Sequence, residues 1–214
     1  MITIYHIPRT RSIRVIWLME ELGEEYRLEK MAMPIPAEYL AINPTGLIPA
    51  IDDDDGKDGG AIRMTGSIAI LQYITGRRLV AGEEKAKALT VGPLPDPAAY
   101  AEHLQFLHFG EADIATPISA IFRTIMAAKD GDPANPSYDY LVNALERRLA
   151  YLDGHFADGR SWVTGEAFTI ADISIAYGLA RLEVVKLGRL LTPALTAYLE
   201  RLQARPAYQR AAAV

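Results

Sequence analysis

Every strand-like run in this chain falls before residue 66, and beyond the proline-rich stretch Gly92-Pro93-Leu94-Pro95-Asp96-Pro97 only helical periodicity remains. That switch rules out an all-β fold and predicts a small α/β domain followed by an all-helical one. Residues 2–7 (ITIYHI) are β-branched and aromatic and read as a strand. Residues 13–22 carry an apolar face (Ile13, Ile16, Trp17, Met19, Leu22), leave Glu20 and Glu21 outside, and stop at Gly23, as a helix does. A strand over 26–33 completes a β-α-β unit with a parallel pair. A short helix over 37–43, strands over 48–52 and 61–64, and a helix from Ser67 to Ile74 ended by Thr75-Gly76 follow. The acidic loop DDDDGKDGG between the two strands lacks the ligand spacing of a calcium loop and reads as a solvated hairpin tip. The expected domains are therefore residues 1–80 and 96–214, with 81–95 as linker. In the second domain a long helix over 97–129, kinked at Pro117, precedes a loop at 130–136 and helices over 138–156, 169–187 and 193–204.

Composition narrows the function. Half of the 214 residues are hydrophobic, enough for a packed core, yet no apolar run approaches the ~20 residues of a membrane helix. The start MITIYHIPRTRS has neither the basic nor the long apolar region of a signal peptide, so a cytoplasmic location is expected, without a membrane partner. A net charge of −5 without a basic stripe argues against nucleic acid. Cysteine is absent, which removes disulfides, thiolate metal sites and a cysteine nucleophile together. The four histidines, His6, His103, His108 and His155, form no ligand pair at helical spacing, so no metal site is expected.

Three features of the first domain carry chemistry. Ile48-Pro49 begins a strand, where proline belongs because it cannot donate to a ladder. With a cis bond, the Ile48 backbone is left to pair with an extended, peptide-like ligand. Thr65-Gly66-Ser67 opens a helix, where free N–H groups and the Ser67 hydroxyl suit a carboxylate, and where an ordinary N-cap is the plainer reading. Pro8-Arg9-Thr10-Arg11-Ser12 brings two hydroxyls and two guanidinium groups to a second helix start. Such a place suits a thiolate: lowering a thiol of pKa ~8.5 by two units takes about 2.7 kcal/mol. A helix N-terminus supplies at most ~2 kcal/mol, and a hydroxyl donor the rest. In the second domain, Thr169-x-x-Asp172 reads as a capping box, a folding element rather than a catalytic acid.

The element order β-α-β, Ile-Pro, β-β-α resembles a thioredoxin-like domain, and the whole chain resembles a cytosolic glutathione transferase. The segments that carry the likeness are Tyr5-His6-Ile7-Pro8-Arg9-Thr10-Arg11-Ser12-Ile13-Arg14, Asn43-Pro44-Thr45-Gly46-Leu47-Ile48-Pro49-Ala50-Ile51 and Ser67-Ile68-Ala69-Ile70-Leu71-Gln72-Tyr73-Ile74. Phe168-Thr169-Ile170-Ala171-Asp172-Ile173 and Arg205-Pro206-Ala207-Tyr208-Gln209-Arg210 extend it through the second domain. The resemblance implies that Ile48 pairs with the cysteinyl part of glutathione beside cis Pro49, and that Gly66 and Ser67 meet its γ-glutamyl carboxylate with Arg11 nearby. Thr10 would activate the thiol, with Ser12 and Tyr5 as rivals. Phe109 and Phe122 would line an apolar co-substrate pocket. Glutathione is then a co-substrate, with no bound cofactor and no metal, and the protein a homodimer conjugating glutathione to a hydrophobic electrophile. Two positions depart from the family pattern: Gly66 where Glu or Gln is common, and Leu47 where a polar residue is common. They keep open a non-catalytic binding protein, beside an isomerase or peroxidase on the same scaffold.

Overall fold

The computed structural model describes residues 1–56, 60–128 and 135–214. Part of the acidic hairpin tip and most of the loop expected at 130–136 lie outside the described residues. The chain forms two compact units: Met1–Thr90 with Ala204–Val214, and Val91–Gln203.

In the first unit, strands β1 (Ile2–His6), β2 (Tyr26–Lys30), β3 (Ala50–Asp53) and β4 (Ile62–Thr65) make a sheet in the order β2-β1-β3-β4. The β1–β2 pair is parallel, as the crossover through helix α1 (Ser12–Leu22) requires, and β1–β3 and β3–β4 are antiparallel. Helix α1 ends at Gly23, whose φ of 72° suits the left-handed cap and sends its N–H to Met19 O at 2.9 Å. Ile4, Val15, Ile16, Leu18, Ile51, Ile70 and Leu71 are fully buried and form the core between sheet and helices. On β3, Asp52 faces its register partner Arg63, which donates from Nε and Nη2 at 2.7 and 2.8 Å, while Tyr5 Oη donates to the same carboxylate at 3.0 Å.

Helix α2 (Ala37–Ile42) precedes β3, and helix α3 (Ser67–Val80) follows β4. The expected stop of α3 at Thr75-Gly76 is not taken. Thr75 Oγ1 donates back to Leu71 O at 2.7 Å, and Gly76 sits in open helical space. The extra turn is anchored, because Arg77 reaches the buried Asp53 at 2.5 Å and Arg78 pairs with Glu24. Residues 81–95, expected as linker, contain helix α4 (Glu84–Ala88). Its Lys85 donates to the terminal carbonyl of α1, Leu22 O, at 2.7 Å. The last helix, α10 (Pro206–Ala212), belongs to the first unit by its contacts: Tyr208 meets Trp17 edge-on at 4.9 Å, and Arg205 grips Glu21 at 2.6 and 2.8 Å.

The second unit holds α5 (Pro97–Phe109), α6 (Thr116–Ala127), α7 (Pro136–His155), α8 (Ile170–Leu179) and α9 (Pro193–Gln203). The long helix expected from 97 to 129 is interrupted by a π-helical turn, Gly110–Ala115, that ends just before Thr116-Pro117. Packing decides this: a Cβ on Gly110 would lie 2.4 Å from Ser174 Oγ, and Ser174 Oγ donates to Leu107 O at 2.7 Å, so α8 presses directly on the backbone there. Pro117 sits in the first turn of α6, directly after the π-helical turn. Helix α8 stops at Leu179 rather than 187, continuing as short 3-10 turns. Its start is the capping box Thr169/Asp172. Fully buried Asp172 accepts from Thr169 N at 2.8 Å, Val163 N at 2.9 Å and Tyr198 Oη at 2.6 Å. Among the described residues no helix is long and apolar enough to cross a membrane.

Two stability predictions follow from these carboxylates. Asp172→Ala removes more than a cap, which alone is worth about 0.5–2 kcal/mol. It also strands the buried Val163 N–H and Tyr198 hydroxyl at about 1–3 kcal/mol each. Denaturant unfolding should therefore show a loss of at least ~3 kcal/mol, and a loss below 1 kcal/mol would contradict the network. Asp52 behaves differently: Arg63 above all, then Tyr5, hold its carboxyl below the ordinary range against the effect of burial. Its contribution to stability is complete above the unfolded value near 3.9 and is lost as pH falls through the lower folded value. Between pH 5 and 2, wild type should lose stability more steeply than Asp52→Asn, and equal slopes would count against the pairing.

Candidate functional site

The chemistry-bearing residues of the first unit gather where β1 runs into α1. After β1 the chain turns through Ile7, Pro8 and Arg9, the last at φ 65°, and enters α1 at Ser12. Thr10 Oγ1 donates to Ile7 O at 2.8 Å and lies 2.8 Å from Ser12 Oγ, which in turn lies 2.8 Å from His6 Nδ1. Thr10 is half-buried, whereas Ser12 and His6 are buried behind it. Of the two hydroxyls, Thr10 thus belongs to the more exposed residue. Arg11, half-buried, precedes the helix.

Tyr5 stands apart from this chain. Successive side chains on a strand point to opposite faces, so His6 turns to Ser12 and Tyr5 to the other side, where its ring lies 5.8 Å from that of Tyr39. Burial, then the Asp52 carboxylate, raises the Tyr5 pKa, and its hydroxyl is already spent on Asp52.

The loop into β3 is set by Asn43, which is buried at the end of α2. Its Nδ2 and Tyr39 Oη both donate to Leu47 O at 2.7 Å, and its Oδ1 accepts from Thr45 N at 3.2 Å and Thr45 Oγ1 at 2.8 Å. Gly46 takes φ 66° in this turn. The Ile48–Pro49 bond is cis, Ile48 is half-buried, and no backbone hydrogen bond engages Ile48 among the described residues. Leu47, the first departure from the family pattern, is 62% exposed and uses its carbonyl, not its side chain, to hold the loop.

The second departure also has a backbone reason. Gly66 caps α3 with φ 85° and ψ 106°, a conformation that costs other residues about 1–3 kcal/mol. Next to it Ser67 is buried, and its hydroxyl accepts from Arg14 Nη1 at 3.0 Å. Arg14 is fully buried and projects from α1, so the starts of α1 and α3 are tied through one side chain. Neither Arg14 nor His6 was singled out as a site residue from sequence. The signal for Arg14 was an arginine inside the apolar stripe of α1. His6 gave none, because a lone histidine ending a strand is ordinarily core.

In the second unit Phe109 is 9% exposed and packs on Phe106 and Tyr151 at 5.8 and 5.7 Å, while Phe122 on α6 is 39% exposed. One is part of an aromatic cluster and the other lies at the surface. Among the described residues no group of three or more acidic or histidine side chains is placed to hold a metal ion.

The family pattern for the glutathione S-transferase N-terminal domain matches residues 10–77, and that for the C-terminal domain matches residues 98–201. The chain is 26% identical to glutathione S-transferase GstA of Escherichia coli O157:H7, over 97% of this chain and 96% of that one. It is 27% identical to the disulfide-bond oxidoreductase YfcG of Escherichia coli K12, over 97% and 92% of the two chains. A crystal structure of a glutathione transferase from Burkholderia graminis, with two glutathione molecules bound per subunit, superimposes with a TM-score of 0.83 at 25% identity, covering 99% of this chain and 87% of that one. With both patterns matched in order along one chain, the protein belongs to the glutathione S-transferase family.

Proposed function

We propose that this protein binds reduced glutathione in its first unit and transfers the thiolate to a hydrophobic electrophile. The observation that carries the reading is the half-buried Thr10 hydroxyl at the start of α1, in the same unit as the Ile48–Pro49 edge and the Arg14-supported Ser67. In this reading the Ile48 backbone pairs with the cysteinyl residue. Ser67 and the free N–H groups of α3 take the γ-glutamyl carboxylate, helped by the positive charge of Arg14 behind the serine. Arg11 adds positive potential beside the sulfur. Thr10 donates to the thiolate; Ser12 stands behind it and Tyr5 is bound to Asp52. The sulfur lone pair then forms a C–S bond to the electrophile, whose leaving group departs with the electron pair of its bond. The protein acts as a cytoplasmic homodimer, with glutathione as co-substrate.

A second reading is favoured by the likeness to the oxidoreductase: the glutathione thiolate attacks a disulfide sulfur, forming a mixed disulfide and releasing the other thiolate. With no cysteine in the chain, both steps of such a reduction use glutathione itself. Product analysis separates the two, since conjugation yields a thioether and reduction yields glutathione disulfide.

A hydrogen bond to a charged group is worth about 1.5–3 kcal/mol, or roughly one to two pKa units. Thr10→Val should therefore raise the pKa of the bound thiol by about that much, followed by thiolate absorbance, with little change in glutathione affinity. Ser67→Ala should do the reverse, weakening calorimetric binding by roughly tenfold or more while the bound thiol keeps its pKa. Wild-type protein that neither binds glutathione nor shows a thiolate band would overturn the proposal.

A further inference from the structure

The hydroxyl assigned to sulfur is the outer end of a longer hydrogen-bond chain, and counting hydrogens along it gives the chain a direction. Thr10 has one hydroxyl hydrogen, and it goes to Ile7 O at 2.8 Å. Ser12 Oγ also lies 3.5 Å from Ile7 O, and the shorter 2.8 Å contact with Thr10 takes its hydrogen, so there Thr10 is the acceptor and Ser12 the donor. That spends the Ser12 hydrogen, so at the 2.8 Å contact with His6 Nδ1 the ring donates. All three contacts are satisfied when Nδ1 carries the hydrogen, which leaves Nε2 of a neutral ring a bare lone pair. Within hydrogen-bond distance His6 Nε2 has no partner among the described residues, although the Val214 backbone lies near enough to favour a ring N–H. The opposite tautomer would draw the Ser12 hydrogen to Nδ1 and leave Thr10 one hydrogen for two acceptors, Ile7 O and Ser12 Oγ.

We propose that His6 is a positioning residue: through Ser12 it holds Thr10 as an obligate donor, whose hydrogen points to Ile7 O in the free protein and to sulfur once a thiol is bound. The proposal rests on the glutathione reading of the site. The switch is inexpensive. A hydrogen bond to a charged acceptor is roughly twice as strong as one to a neutral carbonyl, so a thiolate wins the competition. Ile7 O still receives the Thr10 N–H at 3.3 Å. Each donor upstream polarises the next, which strengthens Thr10 toward sulfur.

The surroundings favour the neutral ring. Burial lowers its pKa, and Lys30, its register partner on β2, acts in the same direction, while the nearby Val214 backbone opposes them. Ser12 on α1 is the polar group that faces Nδ1. A neutral ring still has Nδ1–H to give, so the chain of donors does not depend on protonating His6.

The test compares wild type with His6→Leu, His6→Asn and Ser12→Ala, using reduced glutathione as the probe. Asparagine places an amide N–H close to where Nδ1–H stood; leucine does not. In His6→Leu the bound thiol should titrate up to about one unit higher, a roughly tenfold smaller thiolate-to-thiol ratio at a given pH. Glutathione affinity by calorimetry should hold within about twofold, because the carboxylate and backbone contacts are untouched. His6→Asn should recover most of the shift. His6→Leu combined with Ser12→Ala should shift the titration no further than either alone, as expected for one connected chain. A wild-type thiolate band that His6→Leu leaves in place overturns the positioning role while the glutathione reading stands. A wild type with no band and no calorimetric binding overturns both. Nitrogen-15 spectra of the ligand-free protein give a second measurement that needs no variant: a hydrogen on His6 Nδ1 supports the chain, and one on Nε2 overturns it.

Discussion

A guanidinium withdrawn from water is costly to bury unless its donors are used, and Arg14 is withdrawn completely. Its hydrogen bond to Ser67 Oγ makes the start of α3 part of its solvation. The rest of the site depends on that tie. It fixes one helix N-terminus against another, so that the groups at the two helix starts hold a set relation. It also explains why Ser67 is buried rather than an open cap: its hydroxyl has a partner behind it and keeps its own hydrogen to donate.

Alternation along β1 sorts the hydroxyls. His6 and Tyr5 are neighbours in sequence and point to opposite faces of the sheet. One is joined to Ser12 and Thr10, the other to Asp52 and Arg63. Tyrosine and threonine are therefore not competing for one ligand atom from similar positions. Tyr5 is a structural donor that ties β1 to β3, and Thr10 ends a chain that begins in the core.

The second unit shows how few contacts can override a helix signal. Gly110 accepts the close approach of α8 that no side chain would allow, and the long helix turns π-helical from there to Ala115. At the other end of α8, the Asp172 carboxylate gathers donors from the cap, from the loop at Val163 and from Tyr198 on α9. A buried carboxylate with this many donors orders three separate segments at once.

Local pattern was enough for the strand and helix order of the first unit, for the proline that opens the Ile48 edge, and for the Thr169/Asp172 cap, because periodicity, turn residues and capping are short-range physics. The same pattern located Thr10, Ser12 and Ser67 at helix starts. It did not reveal the run of α3 past Gly76, which is held by Asp53 and Glu24, residues far away along the chain. Nor did it place α10 against α1, where Arg205 reaches Glu21 across most of the sequence. The roles of His6 and Arg14 were illegible for the same reason. A lone histidine and an arginine in an apolar stripe gain chemical meaning only from the hydroxyls set against them, and those are brought there by the crossover of the sheet and the packing of two helices.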